Sequence, residues 1–391
     1  MPKLPLDGIR VADFSWIIAG PLCTKNLGML GAEVIKIETR KRPEFRGQRA
    51  SFSLLNNSKK SCTIDLTQAK GRDLAKGIIR KSDVIVENFG YGAMDRLGLG
   101  YETLKALKPD IIMLSSSGLG RTGPDRDQVA YGNLLQGFIG WSALIGYPDG
   151  RSVGLGGAWT DPLTAITSTF AVLAALHHRE ETGEGQYIDL SMAEATLCTI
   201  PEALFDYVMN GRVEEPIGNW DEIMAPHSCY PCKGEDQWIA LAVTNDEEWE
   251  ALCQVIGSPS WAKSERFSDR FGRWKAREEL DSYIGEWTRS MTSAEAMDIL
   301  QKAGIPAGPS YNTEGLVNDP HLQARQLFVE IEEPDLGKRT TIGLPWKLEP
   351  GPGAVCFRAP MIGEHNDYVF KELLGLGEAE VAELVKEGVV E

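Results

Sequence analysis

Residues 1–125 alternate short apolar runs with stretches of helical periodicity, and this alternation constrains the fold more than any other feature. Continuous apolar runs are typical of strands that are buried on both faces, as in parallel sheets, and the helices between them supply the crossover connections. The pattern therefore predicts an α/β fold with a doubly wound, mostly parallel, Rossmann-like sheet. The predicted strands are 9–14, 33–38, 83–89 and 111–116, and the predicted helices are 20–30, 68–80 and 101–107.

Polar and small residues follow these predicted strands, where the ligands of such sheets bind. The segments are Ser15-Trp16, Glu38-Thr39-Arg40, Asn88-Phe89-Gly90 and Ser115–Gly118. A nicotinamide dinucleotide is disfavoured as the ligand, because the first strand–helix turn contains no G-x-G-x-x-G sequence and the chain contains no Walker A sequence. We therefore expect a binding site at this edge of the sheet that does not hold NAD.

Asp161 is the strongest candidate for a catalytic residue. It follows the glycine-rich approach Gly156-Gly157 and precedes the uncharged segment 162–176, which predicts a buried helix. The pattern places Asp161 at the N-cap and Pro162 at the first helical position, where a carboxylate accepts backbone N–H groups and stays ionised. Many Asp-Pro pairs at helix starts are only structural caps, so this alternative remains open.

The charge of the chain favours a small-molecule ligand. A net charge of −16 disfavours nonspecific binding to nucleic acid or to anionic membranes. Because the sequence shows neither a membrane span nor a signal-peptide core, we expect a cytoplasmic protein. In so acidic a chain, a basic cluster is either a solvated face or a site that holds phosphates. The cluster consists of Arg40, Lys41, Arg42, Arg46, Lys59 and Lys60.

The pair Cys229 and Cys232 has the spacing of a zinc or redox motif, with His227 close by. A zinc site needs four ligands, and the next cysteine, Cys253, is distant and unpaired. A thioredoxin-like site would open a helix, whereas the strand 238–243 is predicted to follow this motif. We therefore predict a structural role for both cysteines and no metal. Seven cysteines, an odd number, indicate a reducing compartment.

The sequence changes character beyond Gly211, and residues 222–315 predict a smaller α+β domain. This segment has its own strand, 238–243, and three predicted helices. The helices are 246–256, 276–291 and 293–303.

Short stretches in a fixed order along the whole chain carry a family resemblance. They include Leu30–Glu38, Asn57–Ser61, Glu87–Phe89, Leu97–Tyr101, Thr182–Gln186, Asp319–Arg325 and Gly363–His365. With these stretches the chain resembles the class III CoA-transferases, the family of formyl-CoA transferase, carnitine CoA-transferase and 2-methylacyl-CoA racemase. It is also weakly similar to benzylsuccinate CoA-transferase subunits.

The resemblance implies a domain arrangement that the residue patterns do not give. A large CoA-binding domain would comprise residues 1–200, with 330–391 returning to it, and 222–315 would form the small domain. Residues 201–221 and 316–329 would be linkers. Two subunits would interlock, either as a homodimer or as a heteromer with a homologous subunit.

The same resemblance places Asp161 at the family's catalytic aspartate and implies coenzyme A, supplied as an acyl-CoA substrate, with no metal. The implied CoA-binding residues are Ser15, Trp16, Ile17, Ile18, Arg40, Ile64, Leu66, Asn88, Phe89, Arg96 and Leu97. One departure is Ile18, which stands where formyl-CoA transferase has a glutamine. The acyl pocket is therefore expected to be less polar, which disfavours formate and oxalate. Trp16, Ile17 and Ile18 indicate a bulky or aromatic acyl group. The weak likeness to benzylsuccinate CoA-transferase subunits makes succinyl-CoA a reasonable donor.

A lone carboxylate fits CoA transfer through an aspartyl anhydride and an aspartyl-CoA thioester. The backbone of Gly156-Gly157, or a loop of the other domain, could donate to the oxyanion. One alternative is a racemase of the same fold, which needs a second base. The racemases that resemble this chain carry a histidine in the segment after Gly123-Pro124, but here the first histidine is His177. Another alternative is a non-catalytic subunit of a heteromeric transferase.

Overall fold

The computed structural model describes residues 3–42, 48–351 and 353–391. Arg46 of the predicted basic cluster lies outside the described residues. The chain divides into two compact units. The first unit is made of Met1–Ser142, Gly154–Glu214 and Arg325–Glu391, and the second of Ala143–Val153 and Glu215–Ala324.

A six-stranded parallel sheet forms the centre of the first unit and confirms the predicted α/β class. The strands are β1 Arg10–Asp13, β2 Glu33–Glu38, β3 Lys59–Thr63, β4 Val84–Glu87, β5 Ile112–Ser117 and β6 Tyr187–Ser191. Their spatial order is β3-β2-β1-β4-β5-β6, so the order reverses between β1 and β4. A crevice at the carboxyl ends of strands is expected at such a reversal.

The helices before the second unit's sheet are α1 Ala19–Met29, α2 Arg49–Asn56, α3 Ala69–Arg80, α4 Ala93–Arg96, α5 Tyr101–Leu107, α6 Gly132–Phe138, α7 Trp141–Leu144, α8 Thr160–Thr182, α9 Met192–Leu197 and α10 Pro201–Asn210. Helices α1 and α8 pack on one face of the six-stranded sheet and α3 and α5 on the other. Alternate residues of β4 enter different cores: Val84 and Val86 pack in the layer of α1 and α8, and Ile85 packs in the layer of α3 and α5. The two apolar layers fix the sheet between the helices.

Helix α8 is buried on one side only. Thr164, Ala165 and Val172 are buried, whereas Ile166 is 59% exposed and Phe170 is 72% exposed. The prediction of a buried helix is therefore wrong for this face of the single chain. The apolar composition of the segment does not distinguish a face that packs on α1 from a face that is left open.

The second unit has an antiparallel sheet of β7 His227–Pro231, β8 Trp238–Ala242 and β9 Ala307–Pro309. Its helices are α11 Asp246–Val255, α12 Arg270–Lys275, α13 Arg277–Thr288, α14 Ser293–Lys302, α15 Thr313–Asn318 and α16 Pro320–Ala324, with two short 3-10 turns, Ser260–Lys263 and Glu265–Phe267. Trp249, Phe267, Leu280 and Leu300 lie in its apolar core. The unit has an α+β arrangement.

Cys229 lies in β7 and Cys232 directly follows that strand. Both thiols are free, and burial raises the pKa of each. Within residues 3–42, 48–351 and 353–391, no group of three or more His, Cys, Asp or Glu side chains could hold a metal ion.

The C-terminal segment belongs to the first unit. Strands β10 Phe328–Glu333 and β11 Gly337–Ile342 pair antiparallel, and a π-helical turn Tyr368–Leu373 precedes α17 Glu378–Lys386. Val369, Phe370 and Val381 enter the core on the α3 side of the sheet. None of the helices that the structure describes is both long enough and apolar enough to cross a membrane.

Candidate functional site

Asp161 is the second residue of α8, not its N-cap. The helix begins at Thr160, and Trp159 holds the N-cap position with φ −63° and ψ −27°. The N-cap prediction is wrong because the chain is already turned before the Asp-Pro pair: the indole N–H of Trp159 donates to the Gly156 carbonyl at 2.8 Å. Pro162 becomes the third helical residue, where a missing N–H still costs no helical bond.

The Asp161 carboxyl group lies where three helices begin. It is 6% exposed in α8, it contacts Gly132 at the start of α6, and it interacts with the backbone N–H of Ala19 at the start of α1. Burial raises the pKa of Asp161 to about 6, although the Ala19 N–H favours the ionised form. The carboxylate is therefore mainly ionised at pH 7 but carries less stabilisation than an exposed aspartate.

Gly132 is a residue of this site that the sequence reasoning missed. A Cβ atom at Gly132 would lie 2.0 Å from Asp161 Oδ2, 2.7 Å from Thr160 Oγ1 and 3.1 Å from the Cβ of Ala158. Only glycine leaves the carboxylate in its present place. No local pattern could reveal this, because the contact joins α6 to α8.

The loop between β1 and α1 is held by a buried network at Asp13. The N–H and the hydroxyl of Ser15 both donate to Asp13 Oδ1, at 2.9 Å and 2.5 Å. Asp13 Oδ2 pairs with the Lys59 ammonium at 3.1 Å, and both side chains are fully buried. Lys59 of the predicted basic cluster is therefore an internal ion-pair partner and does not face a ligand.

A second clamp holds the same loop at Trp16. The Trp16 N–H donates to Asn88 Oδ1 at 2.9 Å, and Asn88 Nδ2 donates back to the Trp16 carbonyl at 2.8 Å. Between the clamps and Ala19, Ile17 has a φ of 69°, which is strained for a β-branched residue. The clamps fix the loop whose Ala19 N–H faces Asp161.

A cleft of about 370 Å³ opens beside this loop at the carboxyl ends of the strands. Six of the residues predicted to bind CoA line it, namely Ser15, Trp16, Ile64, Leu66, Phe89 and Leu97. Lys36, Lys41 and Arg42 line it too. The Arg42 guanidinium lies 4.0 Å from the centre of a Trp16 ring, and the Lys41 ammonium pairs with Asp65 at 2.5 Å. The cleft thus combines apolar walls with charged groups of both signs, because Glu38 and Asp65 line it as well.

The remaining predicted residues do not line this cleft; they are Ile17, Ile18, Arg40, Asn88 and Arg96. Arg40 Nη2 donates to the Ile362 carbonyl at 3.3 Å, and Arg96 Nη1 donates to the Tyr91 carbonyl at 3.2 Å. Asn88 acts on the loop through Trp16, as described above. Lys60 of the basic cluster pairs with Glu33 at 2.5 Å.

Taken together, the fold and the site define an α/β protein with a buried carboxylate and a cleft at the switch point of its sheet. The model of the CoA-transferase family III matches residues 6–366. The chain is 33% identical to the "Succinyl-CoA--D-citramalate CoA-transferase" of Chloroflexus aurantiacus, over 100% of this chain and 99% of that protein. It is 32% identical to the "Succinyl-CoA--L-malate CoA-transferase beta subunit" of the same organism, over 99% and 98% of the two chains.

Among solved structures, a CAIB/BAIF family protein from Brucella suis has a TM-score of 0.86 and 29% identity, covering 95% of this chain and 100% of that one. The chain therefore belongs to the CoA-transferase family III. This membership confirms the enzyme class that the sequence predicted, a class III CoA-transferase.

Proposed function

We propose that the chain transfers CoA from a donor acyl-CoA to an organic acid, with Asp161 as the covalent nucleophile. The observation that carries the proposal is the contrast between two buried aspartates. Asp13 is paired with Lys59 and bonded by Ser15 and Thr24, as a structural carboxylate should be. Asp161 forms no ion pair within the described ranges and interacts with backbone N–H groups only. An ionised carboxylate in such surroundings is available for chemistry.

In the proposed reaction, an Asp161 oxygen forms a bond to the thioester carbon of the donor, and the C–S pair leaves with the CoA thiolate. The thiolate then attacks Cγ of the resulting anhydride and expels the donor acid as its carboxylate. The enzyme now holds CoA as an aspartyl thioester. The acceptor carboxylate attacks this thioester, and the same steps run in reverse. The Ala19 N–H is a donor to the aspartyl carbonyl oxygen in these steps.

We propose that CoA lies along the cleft, with its phosphates near the basic residues. The support is the set of six predicted residues that share one cleft with Lys36, Lys41 and Arg42. Arg40 and Arg96 remain proposed phosphate ligands, and each would have to turn from the carbonyl that it now contacts. Guanidinium groups suit phosphate because they offer paired N–H donors.

Replacing Arg42 or Arg40 with Ala is expected to weaken CoA binding by about 1.5 to 3 kcal/mol, the scale of a lost charge-assisted hydrogen bond, with a smaller effect on turnover. Calorimetric titration with CoA measures this directly. Arg151→Ala is the control, because Arg151 is an exposed arginine of the second unit that pairs with Asp149. Unchanged CoA affinity in both Arg42→Ala and Arg40→Ala would show that residues 40–42 do not bind CoA.

We propose succinyl-CoA as the donor. The support is that both named relatives carry succinyl-CoA in their names. The test is to mix the purified chain alone with succinyl-CoA and a panel of organic acids, and to detect new acyl-CoA species by mass spectrometry. Exchange by the chain alone supports the proposal; no exchange with any acid would contradict succinyl-CoA as the donor.

We propose that two subunits associate, as the family resemblance implies. Helix α10 supports this, because it buries none of its residues in the single chain. Phe205, Val208 and Met209 of this helix are 62%, 77% and 76% exposed. Such an apolar surface is typical of a subunit interface. Sedimentation equilibrium of the purified chain should give a dimer, and a monomer would contradict the proposal unless a homologous subunit restores assembly.

The pH profile of kcat/KM should report the ionisation of the Asp161 carboxyl group. Because the raised pKa of about 6 belongs to an acid, the nucleophilic carboxylate predominates above pH 6 and is lost below it. We expect kcat/KM to fall about tenfold per pH unit on the acid side of pH 6. Steady-state kinetics at saturating acceptor between pH 4.5 and 8 measure this, and a profile that stays flat through pH 6 would contradict it.

A further inference from the structure

Thr160 carries a buried hydroxyl group that no part of the described fold uses. The residue is fully buried at the first position of α8, and its Oγ1 has no hydrogen-bond partner. Other buried threonines of the helix have paired hydroxyl groups: those of Thr164 and Thr169 donate to the carbonyls four residues before them. Because an unpaired buried hydroxyl costs free energy, its presence needs a reason.

The Thr160 hydroxyl lies close to the Asp161 carboxyl group, the proposed nucleophile. Thr160 Oγ1 and Asp161 Oδ2 lie 2.7 Å and 2.0 Å from one and the same point, the place that a Cβ of Gly132 would take. The two oxygens therefore face the same small space, which exists because residue 132 is glycine. The two oxygens are therefore at most 4.7 Å apart, the sum of these two distances.

We propose that the Thr160 hydroxyl is a catalytic donor, which binds the aspartyl carbonyl oxygen in the tetrahedral intermediates of CoA transfer. The inference rests on the proposed function of Asp161. This role explains why the Thr160 hydroxyl is unpaired in the resting chain. The aspartyl oxygen to which it would donate gains its full negative charge only during the reaction. With the Ala19 N–H, it gives the Asp161 carboxyl group donors from two different helix starts.

In the second stage of the reaction, the electron pair of the CoA thiolate forms a C–S bond to Cγ of the aspartyl anhydride, and the C=O π pair moves onto the carbonyl oxygen. Thr160 donates its hydroxyl proton in a hydrogen bond to that oxygen and keeps the proton throughout. When the C=O bond re-forms, the C–O bond of the anhydride breaks and the donor acid leaves with that electron pair.

The test is a pair of substitutions, Thr160→Val and Thr160→Ser, assayed for CoA exchange with succinyl-CoA. Thr160→Val keeps the shape and removes only the hydroxyl, so we expect kcat to fall about 10²-fold with little change in KM for the acyl-CoA. Its melting temperature should be equal to or above that of the native chain, because an unpaired buried polar group is removed. Thr160→Ser should retain most of the activity.

Thr164→Val is the matched control, since this buried threonine of the same helix has its hydroxyl paired with a backbone carbonyl. It should exchange CoA at close to the native rate. Native turnover by Thr160→Val, or an equal loss in Thr160→Ser and Thr160→Val, would overturn the assignment of Thr160. Absence of exchange in the native chain would instead overturn the proposed function, so the two failures are distinguishable.

Discussion

Replacing Asp161 with Asn is expected to reduce CoA exchange by about 10⁴-fold or more, on the scale seen when a covalent nucleophile is removed. The amide has the same shape but does not attack a thioester. The substitution should also stabilise the fold at neutral pH, because burial raises the pKa of Asp161 from 3.8 to about 6. An acid with a raised pKa contributes fully to the free energy of unfolding below pH 3.8. This contribution is lost as the pH rises through 6.

The signature of Asp161→Asn is therefore an inactive chain whose melting temperature exceeds the native value above pH 6, with the difference vanishing towards pH 4. Exchange assays and thermal unfolding between pH 4 and pH 8 measure both effects. Asp298→Asn is the control, because Asp298 is an exposed aspartate in α14 of the second unit. Activity above a few per cent in folded Asp161→Asn would contradict the covalent mechanism.

The second large effect is expected for Gly132→Ala. The new methyl group would lie 2.0 Å from Asp161 Oδ2, so the carboxylate or the start of α6 has to move. A displacement of about 1 Å at a reacting group costs on the order of 10²-fold in rate. We therefore expect kcat to fall by about 10²-fold or more, with CoA affinity nearly unchanged because Gly132 does not line the cleft.

Helix α6 supplies a matched control for this substitution. Gly137 belongs to the same helix, and a Cβ there would have nothing within 4 Å. Gly137→Ala should keep native activity and slightly stabilise the helix. Native turnover in Gly132→Ala would show that the carboxylate does not need its present position, whereas equal losses in both variants would point to the helix as a whole.

The parallel sheet was predictable because β1, β2, β4 and β5 are largely buried on both faces and therefore stand out as apolar runs between helices. Strand β3 was not predicted, because Lys59 and Lys60 interrupt that pattern. The charge of Lys59 is accommodated by Asp13, a partner 46 residues away that no local pattern indicates. This long-range ion pair allows a charged segment to form the edge strand of the sheet.

Only part of the candidate site was predictable from the sequence. The proposed catalytic aspartate and six residues that line the cleft follow from a family resemblance, but the start of α8 and the positions of Gly132 and Thr160 beside Asp161 do not. These features depend on how the starts of α1, α6 and α8 pack against one another. The sequence around Gly132, the first residue of α6, does not indicate this packing. Arg40 could be named from the sequence, whereas its contact with the Ile362 carbonyl depends on the returning C-terminal segment.

The central claim, a covalent bond to Asp161 during turnover, is tested most directly by trapping with hydroxylamine. The native chain is mixed with succinyl-CoA and hydroxylamine in deuterated water, digested, and analysed by mass spectrometry. The account predicts a hydroxamate on the peptide that contains Asp161, formed only when acyl-CoA is present, and no deuterium at the α-carbon of the acyl group. An unmodified Asp161 peptide together with deuterium at the α-carbon would contradict it and would establish the racemase chemistry instead.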